Sequence, residues 1–128
     1  MTIALWCVLA GGLMPLIWTG MAKFTGDRKL RPQDNKNPRA FLADATGRQA
    51  RANNAQLNAF EAFPLFAAGV LTAEWLNATQ SVVDGIALLW VGLRLAYGFI
   101  YLADLGTLRS LVWFAALLCS VSLFVVAA

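Results

Sequence analysis

The sequence predicts an all-α protein, an integral membrane four-helix bundle formed by one domain, residues 1–128. Three observations carry that expectation. Hydrophobic residues make up 59% of the 128 residues and charged residues 13%, with a mean hydropathy of +0.62; soluble domains have about 45–50% and about 25%. The chain divides into four mostly apolar stretches, each near the roughly 20 residues needed to cross a bilayer. Most of the charge is gathered into a single connection. A soluble chain this small could not cover so much apolar surface with so few charges. A soluble enzyme, a disordered tail and a disulfide scaffold are therefore excluded.

The helices are expected at about 2–24, 48–76, 81–104 and 108–127. The first contains no charged side chain before Lys23. Its basic residues follow the apolar run, the reverse of a secretory signal, so it is expected to remain as a span. A connection at about 25–47 comes next, with Pro32 and Pro38. The second helix is interrupted by Asn53, Asn54, Asn58 and Glu61. The third carries Arg94 in its middle, and the fourth is uncharged from Ser110 onward.

Between Lys23 and Arg51 there are eight Lys/Arg against Asp27, Asp34 and Asp44, a net +5; the remaining residues carry −2, which together give the chain's +3. The basic balance is thus a property of one loop. The positive-inside rule accounts for it, and nucleic-acid binding is not implied. The loop at 25–47 is expected in the cytoplasm, and both termini on the non-cytoplasmic side. Trp6 and Trp75 then fall near the outer ends of their helices. Cys7 and Cys119 sit on separate helices without paired spacing and read as packing residues. With no His in the chain, a His-built metal or haem site is excluded, and no metal is expected.

Polar and ionisable residues are costly inside a membrane and mark functional positions. On the second helix, Arg51, Asn54, Asn58 and Glu61 follow at steps of three, four and three, so they share one face. Arg94, Tyr97, Tyr101 and Asp104 repeat that spacing on the third helix. Glu61 lies ten residues in from Arg51, and Arg94 ten residues in from Asp104. At about 1.5 Å per residue, both reach about 15 Å of depth, so they are expected to pair, directly or through water. Arg109 and Ser110 stand at the start of the fourth helix. The set describes a polar cavity suited to a small anion with carboxylates and one ammonium group. Gluing the helices together is the competing use of the same residues.

The segment from Arg51 to Phe66, with Asn58, Glu61 and Pro64 as an Asn-x-x-Glu-x-x-Pro core, resembles the second-helix signature of the MAPEG family, the membrane-associated proteins in eicosanoid and glutathione metabolism. Arg94-Leu-Ala-Tyr97-Gly-Phe-Ile-Tyr101, followed by Leu108-Arg109-Ser110, is similar to the signature joining that family's third and fourth helices. The resemblance covers essentially the whole chain. It implies a homotrimer with glutathione bound between subunits near the cytoplasmic side. Asn58, Glu61, Tyr97 and Tyr101 would contact glutathione. Arg51 matches an earlier Arg of the signature and Gln56 a glutathione-contacting Gln. Lys23 lies near where the family places an Arg from a neighbouring subunit. Arg109 matches the Arg that stabilises the thiolate, and Ser110 the Ser that follows it. Many members carry a glutathione-binding Arg at the position held here by Asn54.

The expected function is a membrane glutathione transferase or peroxidase, in which glutathione thiolate attacks a lipophilic electrophile or hydroperoxide. The setting would be a bacterial inner membrane, with membrane lipids and a lipophilic small-molecule substrate as partners and no nucleic acid. The alternative is a protein of the same fold that binds a lipid or small molecule, or joins a larger complex, without catalysis; Asn54 favours it. A third class, the small proton-coupled exporters, also uses one membrane-embedded Glu. There it usually lies in the first helix, and here it lies in the second.

Overall fold

The computed structural model describes residues 1–128 and is entirely helical. Four long helices, α1 (Ile3–Phe24), α3 (Gly47–Trp75), α4 (Gln80–Leu102) and α5 (Gly106–Ala127), form the body. The connection between α1 and α3 is more ordered than a plain loop. It holds a 3₁₀ turn (Asp34–Lys36) and a short helix, α2 (Pro38–Ala43). Both were hidden from hydropathy because neither has an apolar face long enough to give a period. Asn37 caps α2 by accepting from the Ala40 N–H at 3.2 Å, and Pro38 opens it, the usual N-terminal pairing. In the same loop the Arg31 backbone N–H and side chain both donate to Asp34, which holds that carboxyl below its usual range.

Helices α1, α4 and α5 are long and apolar enough to cross a membrane. Over its 29 residues α3 is more polar and does not meet that description. Arg48, Arg51, Asn53, Asn54, Asn58 and Glu61 all fall in its first half. The turns at 76–79 and 103–105 are short, so α3, α4 and α5 run antiparallel in succession. Helix α1 packs chiefly on α3, and α4 on α5.

Small residues bring the helices close. Ala52, Ala55 and Ala59 on α3, Ala87 on α4 and Ala116 on α5 are all buried. Close packing of this kind substitutes for the hydrophobic driving force that lipid does not supply. Helices α1 and α4 meet closely at Gly98: a Cβ placed there would run into the Trp18 indole, so only glycine admits that ring. Trp18 also meets the Phe99 ring edge-on at 5.3 Å. Toward the opposite end, Phe66 of α3 stacks on Trp90 of α4 with centroids 3.8 Å apart.

Each end of the bundle is tied by polar contacts. At the end bearing the chain termini, Asp84 accepts from the Ala4 N–H at 2.8 Å, and Thr2 caps the same turn. A carboxylate there satisfies an orphan donor and complements the helix dipole. The Thr2 hydroxyl also donates to Glu74, and Gln80 donates to both Glu74 and Asp84. At the other end, buried Gln49 donates to the carbonyls of Ala22 and Arg28, fastening the connection to the start of α3. Gly26 sits against it with φ +141°, a conformation that favours glycine.

Candidate functional site

The polar stripes of α3 and α4 face a shared cleft, which α5 completes. Two overlapping hollows make up its polar part. Asn54, Leu57, Asn58, Glu61, Tyr97 and Tyr101 line one; Asn58, Tyr97, Tyr101, Arg109, Ser110 and Trp113 line the other. A cavity of about 180 Å³ adjoins them, bounded by Asn58, Glu61, Arg94 and Ser120 on its polar side and by Leu65, Trp90, Trp113 and Leu117 among its apolar walls. Asn58 borders all three spaces.

Two cations bracket two rings along the cleft. The Arg94 guanidinium carbon lies 4.4 Å from the Tyr97 ring centroid, and Tyr97 meets Tyr101 edge-on at 5.7 Å. The Arg109 guanidinium carbon in turn lies 4.4 Å from the Tyr101 centroid. Stacking of this kind favours Arg and fixes the plane of its fork. The three-four spacing of Arg94, Tyr97 and Tyr101 on one helix face makes the run possible, and Arg109 joins it from the first turns of α5.

Glu61 and Arg94 do border one cavity. They form no direct ion pair. Asn58 stands between them: Arg94 Nη2 donates to Asn58 Oδ1 at 2.8 Å, and Asn58 Nδ2 donates to Glu61 Oε2 at 3.3 Å. The amide can do this because it carries an acceptor and a donor on one short side chain. Arg94 is only 2% exposed, whereas Glu61 lies at the open edge of the cleft.

Other expected site residues have different places. Arg51 Nε donates to the Leu102 carbonyl at 3.3 Å, so it caps the end of α4 and lines neither hollow nor cavity. Asp104 occupies the exposed turn after α4 with φ +62°. Gln56 is two residues from Asn58, which on a helix turns it to another side; its Oε1 is buried without a hydrogen-bond partner. Lys23 lies in the last turn of α1 and borders neither the hollows nor the cavity. Ser110 lines the cleft, with its hydroxyl donating to the Gly106 carbonyl at 3.2 Å. Asn54 lines it too and is exposed.

Trp113 was not anticipated. It borders both the cavity and the Arg109 hollow. Its position four residues after Arg109 and three after Ser110 was the available signal, since that spacing keeps one helix face. Cys7 and Cys119 are free and buried in the apolar core, as expected of packing residues.

The MAPEG family model matches residues 3–128, essentially the entire chain. The protein belongs to the MAPEG family, whose members are membrane-bound, and its three apolar helices agree with an integral membrane protein. The family includes glutathione transferases and other members. No curated protein and no solved structure matches the chain.

Proposed function

We propose that the protein is a membrane glutathione transferase or peroxidase, with the α3–α4–α5 cleft as its glutathione site. The observation that carries this reading is the Arg109 guanidinium fixed over Tyr101 at the mouth of a cleft that also holds Asn58 and Glu61. Glutathione offers carboxylates, an ammonium group and a thiol. Guanidinium, hydroxyl and amide donors suit the carboxylates, and the exposed Glu61 carboxylate suits the ammonium.

Arg109 would act on sulfur. A free thiol has pKa about 8.5, and the thiolate is the nucleophile. A fixed cation near the positive end of α5 lowers that pKa, and the proton leaves to solvent. The sulfur lone pair then attacks an electrophilic carbon, and the C–S bond forms as that carbon's bond to its leaving group breaks. The leaving group takes the electron pair and picks up a proton from solvent. With a hydroperoxide, the oxygen bond breaks instead, and two glutathiones yield a disulfide, an alcohol and water. Ser110, one residue on, would donate to the same sulfur once its hydroxyl turns from the Gly106 carbonyl. Tyr97, Tyr101 and Asn54 would position the peptide, with Arg94 holding Asn58 in place behind them.

The site opens to one side of the monomer, and Glu61 stands at its edge. Neighbouring subunits of a homotrimer would close over the polar hollows, with Lys23, Gln56 or Arg51 available for contacts across the interface. The same reading has α3 as a fourth span, its polar face turned to neighbours rather than to lipid. The 25–47 connection would lie in the cytoplasm of a bacterial cell and the termini beyond the inner membrane.

The direct test is glutathione binding by purified protein, followed by thiolate absorbance, for wild type and Arg109→Ala. A thiolate signal lost in the variant supports the assignment. No binding at millimolar glutathione overturns it. Asn54 favours the alternative of a non-catalytic binding protein, for which a lipophile would bind with no thiolate signal at all.

A further inference from the structure

Arg94 has more donors than partners. A guanidinium carries five N–H groups. One nitrogen, Nη2, is engaged by Asn58, while Nε and Nη1 are buried and have no hydrogen-bond partner. Stacking on Tyr97 covers a face of the guanidinium but satisfies no in-plane N–H. Leaving such donors dry carries a desolvation cost that is larger for a charged group than for a neutral one, and membrane depth gives water little chance to help. The side chain is 2% exposed and borders the cavity of about 180 Å³.

The walls of that cavity define what could fill it. Ala62, Leu65, Trp90, Trp113, Ala116 and Leu117 are apolar. Leu65 and Trp113 are 42% and 41% exposed, so the space opens laterally on a surface that faces out of the bundle. A chain could enter there from the apolar phase. Charge narrows the choice further. Arg94 and Glu61 both border the cavity, and their charges cancel. A carboxylate would therefore add an uncompensated negative charge at depth, and an ammonium a positive one. An uncharged acceptor oxygen meets the free N–H groups without that cost.

We propose that this cavity binds an uncharged lipophile through a carbonyl oxygen, with Arg94 as the donor that positions it and Trp90 and Trp113 flanking the apolar part. The class comprises ketones, aldehydes, quinones and esters whose hydrocarbon chain passes Leu65 and Trp113. Asn58 ties this subsite to the polar cleft, since it bonds Arg94 and borders both spaces. Binding needs no glutathione and is independent of whether the cleft takes it.

A ketone-bearing naphthalene dye tests this in maltoside detergent, without glutathione. Its emission shifts to the red when the carbonyl accepts a hydrogen bond, and it takes energy from nearby tryptophan. Wild type should show saturable, red-shifted emission excited through tryptophan. Arg94→Met should bind at least about tenfold more weakly and lose the red shift, as expected for loss of a charged donor. Since Arg94→Met disturbs the Asn58 contact, Ala62→Leu provides a second variant that narrows the cavity and leaves Arg94 and Asn58 in place. It should weaken binding while glutathione binding, where present, is retained. A medium-chain methyl ketone should displace the dye better than the matching alkane or carboxylate. Equal competition by the alkane, stronger competition by the carboxylate, or unsaturable uptake identical in all three proteins would overturn the proposal.

Discussion

Asn58 holds Arg94 and Glu61 together without letting them touch, accepting from Arg94 Nη2 at 2.8 Å and donating to Glu61 Oε2 at 3.3 Å. The Arg94 guanidinium has no other hydrogen-bond partner in the chain. Removing the amide thus strands a buried cation. Asn58→Ala should lower stability by about 1–3 kcal/mol, the cost of leaving a buried charged donor unpaired. Thermal unfolding in detergent measures it. An unchanged midpoint would show that Arg94 finds another acceptor.

Glu61 should behave differently. It is exposed, and it reaches Arg94 only through Asn58. Glu61→Gln keeps an acceptor oxygen for the Asn58 amide, so stability should fall by no more than about 1 kcal/mol, as for other exposed charge interactions. Glutathione affinity should fall more steeply if the carboxylate takes the ammonium group. Unfolding midpoints and binding isotherms on the same variant separate the two effects. A large loss of stability would restore a direct ionic role for Glu61.

Two glycines on α4 give opposite expectations. Gly98→Ala would drive a methyl into the Trp18 indole, and neither a buried helix nor a fully buried tryptophan can give way cheaply. A destabilisation of about 1–3 kcal/mol, the range for overpacking, is expected. Gly92→Ala meets nothing within 4 Å and should be neutral or stabilising by up to about 1 kcal/mol through helix propensity. Parallel unfolding curves for the two variants check both signs.

The long helices were legible because apolar runs of spanning length leave few alternatives. Observed boundaries lie within two residues of those expected: Gly47–Trp75 against 48–76, and Gln80–Leu102 against 81–104. Spacing also revealed the polar faces of α3 and α4, since three-four steps are a helix property. What spacing could not supply was the partner of each side chain. Arg51 shares the face of Asn58 yet reaches the Leu102 carbonyl, because its long side chain can turn back toward a helix end. Counting residues gives Arg94 and Glu61 the same expected depth, but it says nothing of the lateral gap that Asn58 fills. Gln49 looked like an ordinary polar residue of a helix start, and only the fold brings it to the Ala22 and Arg28 carbonyls.

Helix α3 shows where hydropathy stops. Its polar first half removes it from the helices apolar enough to cross a membrane by themselves. Asn54, Asn58 and Glu61 border the shared cleft, and Arg51 and Gln49 bond backbone carbonyls of neighbouring segments. Its polarity is therefore used by packing and by the site.

The most direct measurement is a pH titration of thiolate absorbance for glutathione bound to wild type and to Arg109→Ala. In wild type the bound thiol should ionise well below its free pKa of about 8.5, so thiolate is present at neutral pH and disappears as pH falls through the lowered value. Arg109→Ala should return the transition toward that of free glutathione, while Arg109→Lys should recover part of the shift. A bound thiol that titrates like free glutathione in wild type, or equally in wild type and Arg109→Ala, would contradict thiolate activation by Arg109.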